Sequence, residues 1–339
     1  MKKILYFLMP FLCAGLVGCS EDYVPAEGGI EKIESTDLNF TAAGGEGSIT
    51  VDGFGWISAV SNQEWCEVRV EGMTVHVTVL ESQEVTSRSA IVTISAEGKS
   101  VEVPVVQAGL ISDIGALNRI LGYDGGTFTI GTNTDYSIEI PEEVKDWISY
   151  SEEVNPESGK TQFVFNVEPS AACRATSLEV RFGSNVYSLN VIQMEATDIL
   201  GSWDCSYVSG AYEQTLSGPI TISVNAGSLR MSELSADLSI PLVLDSDLSL
   251  SIIGGQQVGT YYGVYPIVTA VLYGDYVTWS SNAECSASLA YEDGKLVYRF
   301  GGNYSDYLGA TVDDFCFWIN AASAWYEMYS DFTITKQIQ

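Results

Sequence analysis

The chain has 339 residues, enough for two or three domains, and 46% of them are apolar against 17% charged, the balance of a folded protein. It carries 44 acidic and 15 basic side chains for a net charge of −29, and a single histidine. Those figures exclude nucleic-acid and polyphosphate partners, which need basic patches to displace counterions, and leave any Ser-His-Asp or Cys-His constellation nothing but His76 to build on.

Lys2 and Lys3 precede an apolar run, Ile4 to Leu16, too short to stay across a bilayer, so residues 1–19 read as an export signal. The signal ends Leu16-Val17-Gly18-Cys19, which resembles the lipobox of bacterial lipoproteins. The resemblance implies that Cys19 is diacylated, with chains such as palmitate, and becomes an acylated N-terminus. Several acyl chains would make a stable anchor in the outer membrane where one alone would not. Ser20-Glu21-Asp22 is similar to the acidic sorting tract of surface-exposed lipoproteins of the Bacteroides group, which implies display on the outer face. Residues 20–33 then form a flexible tether.

Residues 34–109 and 110–195 are two copies of one unit. Gly44-Gly45 matches Gly125-Gly126, Trp65 matches Trp147, Arg88 matches Arg174 and Gln107 matches Gln193, with an offset that only grows, as loop insertions produce. In Met73 to Val79 apolar and polar residues alternate, the mark of a strand with one wet face, and His76 falls on that polar face. Each unit closes with a Gly-containing hairpin, around Ala96-Glu97-Gly98-Lys99 and Gly183-Ser184-Asn185. Units of this length and pattern predict two-sheet sandwiches. The glycine pair, the mid-domain tryptophan, the Arg88-Ser-Ala-Ile-Val-Thr-Ile94 run and the ending Val105-Val106-Gln107-Ala108-Gly109 resemble the BACON domain, an immunoglobulin-like sandwich of Bacteroidetes. The second copy departs from that pattern at Cys173-Arg174-Ala175-Thr176 and at Met194. The resemblance implies residence in surface glycan-processing systems, with the units as sugar binders or as spacers.

Residues 197–339 hold more than half of the chain's aromatic residues. Leu238, Ile240, Leu242 and Leu244, then Leu248, Leu250 and Ile252, alternate on either side of Asp245-Ser246-Asp247 and predict two strands joined by a tight turn. Further strands are expected at 295–300, 315–320 and 331–336, giving an antiparallel meander that closes as a barrel or packs as a sandwich. The opening Leu200-Gly201-Ser202-Trp203 is similar to the start of lipocalin-like barrels. In Phe315-Cys316-Phe317-Trp318-Ile319 both faces are apolar, so either can be the buried one. The whole chain is therefore expected to be all-β, two tandem sandwiches followed by a β-meander.

After loss of Cys13 and lipidation of Cys19, five cysteines remain. Cys66 and Cys173 read as small buried apolar residues, and Cys205, Cys285 and Cys316 offer one bridge at most, with spacing that does not decide it. No cofactor and no metal site is expected, since Asp245, Asp247, Asp313 and Asp314 read as polar turns in the absence of an EF-hand-type loop. Paired carboxylates, drawn from Glu284, Glu292, Asp293, Asp306, Asp313 and Asp314, are the one enzymatic option left, and an acidic chain supplies such pairs by chance. The sharper expectation is an aromatic platform. Sugar rings stack their C–H faces on Trp and Tyr, and Tyr261, Tyr262, Trp279, Trp318, Trp325 and Tyr326 are the candidates. The expected function is a non-catalytic surface lipoprotein that binds or presents a polysaccharide or host glycan, alongside protein partners of a glycan-uptake system. The alternatives are a structural or adhesive surface protein, and a lipocalin-like binder of a small apolar ligand in a hollow interior.

Overall fold

The computed structural model describes residues 30–53, 55–156, 159–235 and 238–338; the signal, Cys19 and the first part of the tether lie outside them. The described residues are almost entirely strands, joined by tight turns and three short 3-10 helices. The chain divides into two compact units, one of residues up to Ser112 together with Thr132–Asp135 and Pro156–Lys160, the other of the rest.

The first unit contains eight strands: β1 (Ile30–Ser35), β2 (Asn39–Phe40), β3 (Gly45–Gly53), β4 (Ile57–Ser61), β5 (Cys66–Glu71), β6 (Thr74–Val79), β7 (Arg88–Ala96) and β8 (Lys99–Gln107). They form two sheets of order β1-β3-β6-β5 and β2-β8-β7-β4. Period-two alternation buries Val75, Val77 and Val79 from one sheet against Val92, Ile94 and Val105 from the other, in a single core. His76 is half-exposed, 3.7 Å from Glu71.

In the second unit β9 (Ser112–Asp113), β10 (Asn118–Leu121), β11 (Gly126–Thr132), β12 (Tyr136–Glu139), β13 (Ile148–Val154), β14 (Thr161–Val167), β15 (Arg174–Phe182) and β16 (Asn185–Gln193) repeat this sandwich. The orders β9-β11-β14-β13 and β10-β16-β15-β12 reproduce the first pair position for position.

The residues that reveal the repeat do the same work in each copy. The Arg88 guanidinium lies 4.3 Å above the Trp65 ring and its Nε donates to Gln107 Oε1 at 2.7 Å; Arg174 lies 4.1 Å above Trp147 and donates to Gln193 at 2.8 Å. Both glutamines are wholly buried. Gln107 Nε2 donates to the carbonyls of Thr41, Ala42 and Leu80, and Gln193 Nε2 to those of Gly122, Tyr123 and Glu168. Each glutamine thus ties two loops to the last strand, adding a second donor to carbonyls that already accept one bond. Gly44 and Gly125 both have positive φ, and a Cβ on either would sit 2.1 Å from a carbonyl oxygen, of Val79 or Val167.

The rest of the second unit contains β17 (Gly201–Ser209), β18 (Gln214–Asn225), β19 (Ser228–Ser232), β20 (Ser239–Pro241), β21 (Val243–Leu244), β22 (Leu250–Ile253), β23 (Gln257–Tyr261), β24 (Tyr265–Tyr273), β25 (Tyr276–Thr278), β26 (Glu284–Ala287), β27 (Leu289–Glu292), β28 (Lys295–Arg299), β29 (Tyr304–Ser305), β30 (Ala310–Thr311), β31 (Asp314–Ile319) and β32 (Ala324–Gln337). Eleven of these make one sheet with the main path β20-β19-β18-β17-β32-β31-β24-β23. Its end strands β20 and β23 approach each other, so the sheet is a nearly closed barrel. β32 exchanges β31 for β28 along one edge at Asp331, whose positive φ bends the strand.

The barrel interior is filled. Trp203, Tyr298, Phe315, Phe317, Tyr329 and Phe332 are all fully buried, and Phe315 stacks on Tyr329 at 5.0 Å and meets Phe332 edge-on at 5.2 Å. Their polar tips are satisfied inside, Trp203 Nε1 by Ile199 O and Tyr298 Oη by Leu248 O, both at 2.7 Å. Ile192, Met194 and Ile199 belong to the same core, so the last strand of the second sandwich runs directly into the barrel's packing. Lys336 Nζ locks this junction by donating to the carbonyls of Asp198 and Leu200.

One expectation changes, and one point left open by the spacing is answered. The Leu238–Ile252 segment is not one simple hairpin: β20 joins the large sheet, only Val243 and Leu244 pair with β22, and Leu248 occupies the turn with φ 63°. Cys205, Cys285 and Cys316 are all free thiols. Cys316 belongs to the small outer cluster of the barrel wall whereas Cys205 and Cys285 lie in the inner core, which keeps it from pairing with either.

Candidate binding surface

The run 315–319 resolves into an inside and an outside. Phe315, Phe317 and Ile319 enter the core, while Cys316 and Trp318 face outward. On this outer face of β24 and β31, Ala270 and Cys316 are nevertheless completely buried. Larger side chains therefore cover them, and Trp318, Val277 and Met328 pack there. Trp279 stacks on Trp318 at 5.8 Å with the rings 14° from parallel, and Trp325 meets Trp318 at 5.3 Å and 88°.

Each tryptophan is placed by backbone. Trp318 pairs with Val268 of β24 on one side and Trp325 of β32 on the other. Trp279 follows β25, whose hairpin with β24 brings it beside the wall. A Cβ at Gly254 would fall 2.4 Å from Ser280 O, and one at Gly255 2.5 Å from Trp279 O, so these glycines let the Trp279–Ser280 backbone seat against them.

Tyr261, Tyr262 and Tyr326 form a second group. Tyr261 lies 4.2 Å from Tyr262 and 6.2 Å from Tyr326, ring to ring. Tyr262 (φ 50°) and Gly263 (φ 68°) make the tight turn between β23 and β24, closed by Val264 N donating to Tyr261 O at 3.2 Å. A hydrogen bond with the Tyr262 hydroxyl raises the Tyr261 phenol above its ordinary pKa. All six candidate residues thus fall into two ring clusters linked through the neighbours Trp325 and Tyr326. Tyr262 is 81% exposed, Trp325 52%, Trp279 44% and Tyr326 37%; Tyr261 and Trp318 are half-buried.

Beside Trp325 and Tyr326 lies a hollow of about 290 Å³, closed by Gly210, Ala211, Glu327 and Met328. The Glu327 carboxylate holds its far wall, accepting from Ser209 Oγ at 3.1 Å and Ala211 N at 3.3 Å. Trp318 Nε1 is shielded from solvent and has no acceptor among the protein's atoms, an unmet donor of the kind packed cores avoid.

The acidic candidates are spread over separate turns and strand ends. Glu292 is gripped by both arms of Arg299 at 2.5 and 2.6 Å. Asp313 accepts from Gly274 N, and Asp314 from Asp331 N at 3.0 Å, with burial pushing the Asp314 carboxyl upward. Asp247 accepts from the Ser249 amide and hydroxyl and closes its own turn. Among the described residues, no group of three or more His, Cys, Asp or Glu is arranged to hold a metal.

Several exposed aromatic residues are not among the sequence candidates, Tyr304 and Tyr307 included. Tyr273 and Tyr276 stack at 5.5 Å at the turn between β24 and β25, and Tyr212 stands 67% exposed beyond β17. In the first unit Trp56 is 96% exposed, between Gly55, at positive φ, and the start of β4.

Residues 55–108 match the BACON family, described as "Putative binding domain, N-terminal". A search of curated proteins finds no match. Among solved structures, domains 5–6 of the S-layer protein SbsC align over 49% of this chain and 98% of their own, at 14% identity and TM-score 0.20. The titin I-band fragment I67–I69 aligns over 79% and 91%, at 8% identity and TM-score 0.28. An endo-fucoidan hydrolase of glycoside hydrolase family 107 aligns over 50% and 35%, at 9% identity and TM-score 0.27. The BACON match places a binding-domain family in the first sandwich, and likenesses at these TM-scores add nothing to it.

Proposed function

We propose that this chain is a non-catalytic, lipid-tethered accessory of the cell surface that binds carbohydrate on the outer wall of its C-terminal barrel. Cys19 would hold it in the outer membrane. The observation that carries the reading is the Trp279–Trp318–Trp325 row, rings lying over an outer face whose small residues are fully buried. Flat exposed rings offer the apolar C–H face of a sugar what it stacks on, while hydroxyls stay in water or meet polar neighbours. Tyr261, Tyr262 and Tyr326 form a separate group, in which Tyr261 packs against the inner core and Tyr326 adjoins the row through Trp325. Capture of a small apolar ligand inside the barrel would need the space that Trp203, Phe315 and Phe332 occupy.

The test is affinity electrophoresis of the chain from Ser20 onward through a panel of plant and host polysaccharides, with Trp279→Ala, Trp318→Ala and Trp325→Ala alongside. Retardation by at least one glycan, lost in the variants, is expected; free migration through every gel contradicts the reading.

A further inference from the structure

Which sugars such a platform takes follows from its charge. No Lys or Arg occurs between residues 231 and 294 or between 300 and 335, the stretches that supply β23, β24, β25, β31 and the platform half of β32. The flanking cations are committed elsewhere. Arg230 donates to Ser239 Oγ at 2.7 Å and Ser239 O at 2.5 Å, Arg299 grips Glu292, and Lys336 caps Asp198 and Leu200. Lys295 pairs with Gln337, at the opposite end of β32 from Trp325. Carboxylate and sulfate groups are held by Arg or Lys in charge-assisted pairs, and a chain of net charge −29 adds a repulsive field to that lack.

Trp279 lies stacked on Trp318, 14° from parallel at 5.8 Å, and Trp325 meets Trp318 edge-on, so the rings the row presents most openly are those of Trp279 and Trp325.

We infer that the platform selects neutral glycans and rejects those bearing uronate or sulfate. This rests on the reading of the tryptophan row as a sugar site. Biolayer interferometry on the chain from Ser20 onward separates the two, using a neutral β-linked glucan, mannan and xylan against polygalacturonate and dextran sulfate, at low and high ionic strength. High salt removes the long-range repulsion and leaves the local selectivity. Binding of a neutral glycan, lost in Trp318→Ala, with acidic glycans at least about tenfold weaker at both salts, is the expected result.

An acidic glycan bound as tightly as any neutral one, and lost in Trp318→Ala, overturns the selectivity and leaves the sugar site standing. Binding of no glycan removes both. A second variant addresses the cause: Val264→Lys, at a 70% exposed position in the turn that leads into β24, the strand paired with Trp318, adds a cation to this cation-free stretch. It should raise affinity for polygalacturonate by several-fold at low salt, and no gain would contradict the charge argument.

Discussion

Trp325 stands across from Trp318 because the pairing of β31 with β32 skips Tyr326: Phe317 pairs with Glu327, and Trp318 with Trp325. In unbroken register Tyr326 would oppose Trp318, and Trp325 would face Ile319 and the core. The extra residue therefore keeps an indole on the outer wall that strict alternation would bury, and leaves Tyr326 free to meet Tyr261.

A consequence concerns where the cost of losing these rings appears. Trp325→Ala removes a half-exposed side chain outside the main core, so its stability cost should stay near 1 kcal/mol or below. Phe315→Ala, from the filled interior, should cost about 3–5 kcal/mol. Urea unfolding of the two variants checks the contrast, and equal losses would mean that the outer row is part of the core.

Gly254→Ala tests how Trp279 is held. The added methyl would meet Ser280 O at 2.4 Å, so the Trp279 loop must move while the barrel stays folded. Tryptophan fluorescence should shift, and any ligand affinity should fall as far as it does in Trp279→Ala. Unchanged fluorescence would show the loop to be indifferent to its glycine seat.

The sandwiches depend on their glutamine ties. Gln107→Leu leaves the carbonyls of Thr41, Ala42 and Leu80 without that donor and unpairs Arg88 Nε. The carbonyls keep their other donors, Gly44 N, Ser82 N and Arg88 Nη2, so the loss of the acceptor of Arg88 Nε dominates and a total of about 1–3 kcal/mol is expected. Gln193→Leu should behave alike. Denaturant midpoints measure this, and neutral substitutions would contradict the shared role.

Asp314 supplies a pH signature. Its carboxyl is raised by burial, so the folded chain holds the proton longer than the unfolded one. Below the ordinary carboxylate pKa both states are protonated and nothing is lost; as pH rises above it, the unfolded state ionises first and stability falls. Asp314→Asn should therefore raise the melting temperature at neutral pH and lose that advantage in acid. A constant offset at all pH values would assign the effect to something other than ionisation.

Much of this fold was legible in the residues because strands write their faces at period two. Val75, Val77 and Val79 read correctly, and Trp65, Arg88 and Gln107 announced the repeat through the interaction that keeps it folded. What stayed hidden came from partners distant in sequence. Both faces of 315–319 are apolar, so the inner one emerged only when β24 and β32 flanked it. Trp279 meets Trp318 through a hairpin that no local pattern encodes, and the skipped Tyr326 breaks the alternation on which such reading relies. The Leu238–Ile252 segment misled for a similar reason, since even spacing continues through it while the chain passes from one sheet to another.

The proposed tether has its own test. Replacing Cys19 by Ala should release the chain from the membrane fraction of the producing cell and abolish labelling by a fatty-acid analogue; retention with undiminished label would remove Cys19 as anchor.

The most direct measurement is affinity electrophoresis of the chain from Ser20 onward beside its Trp318→Ala/Trp325→Ala double variant, with circular dichroism confirming that both are folded. Marked retardation of the parent by a neutral polysaccharide, reduced about tenfold or more in the variant, is the predicted outcome. Equal retardation of the two proteins would place recognition elsewhere on the molecule and contradict the account.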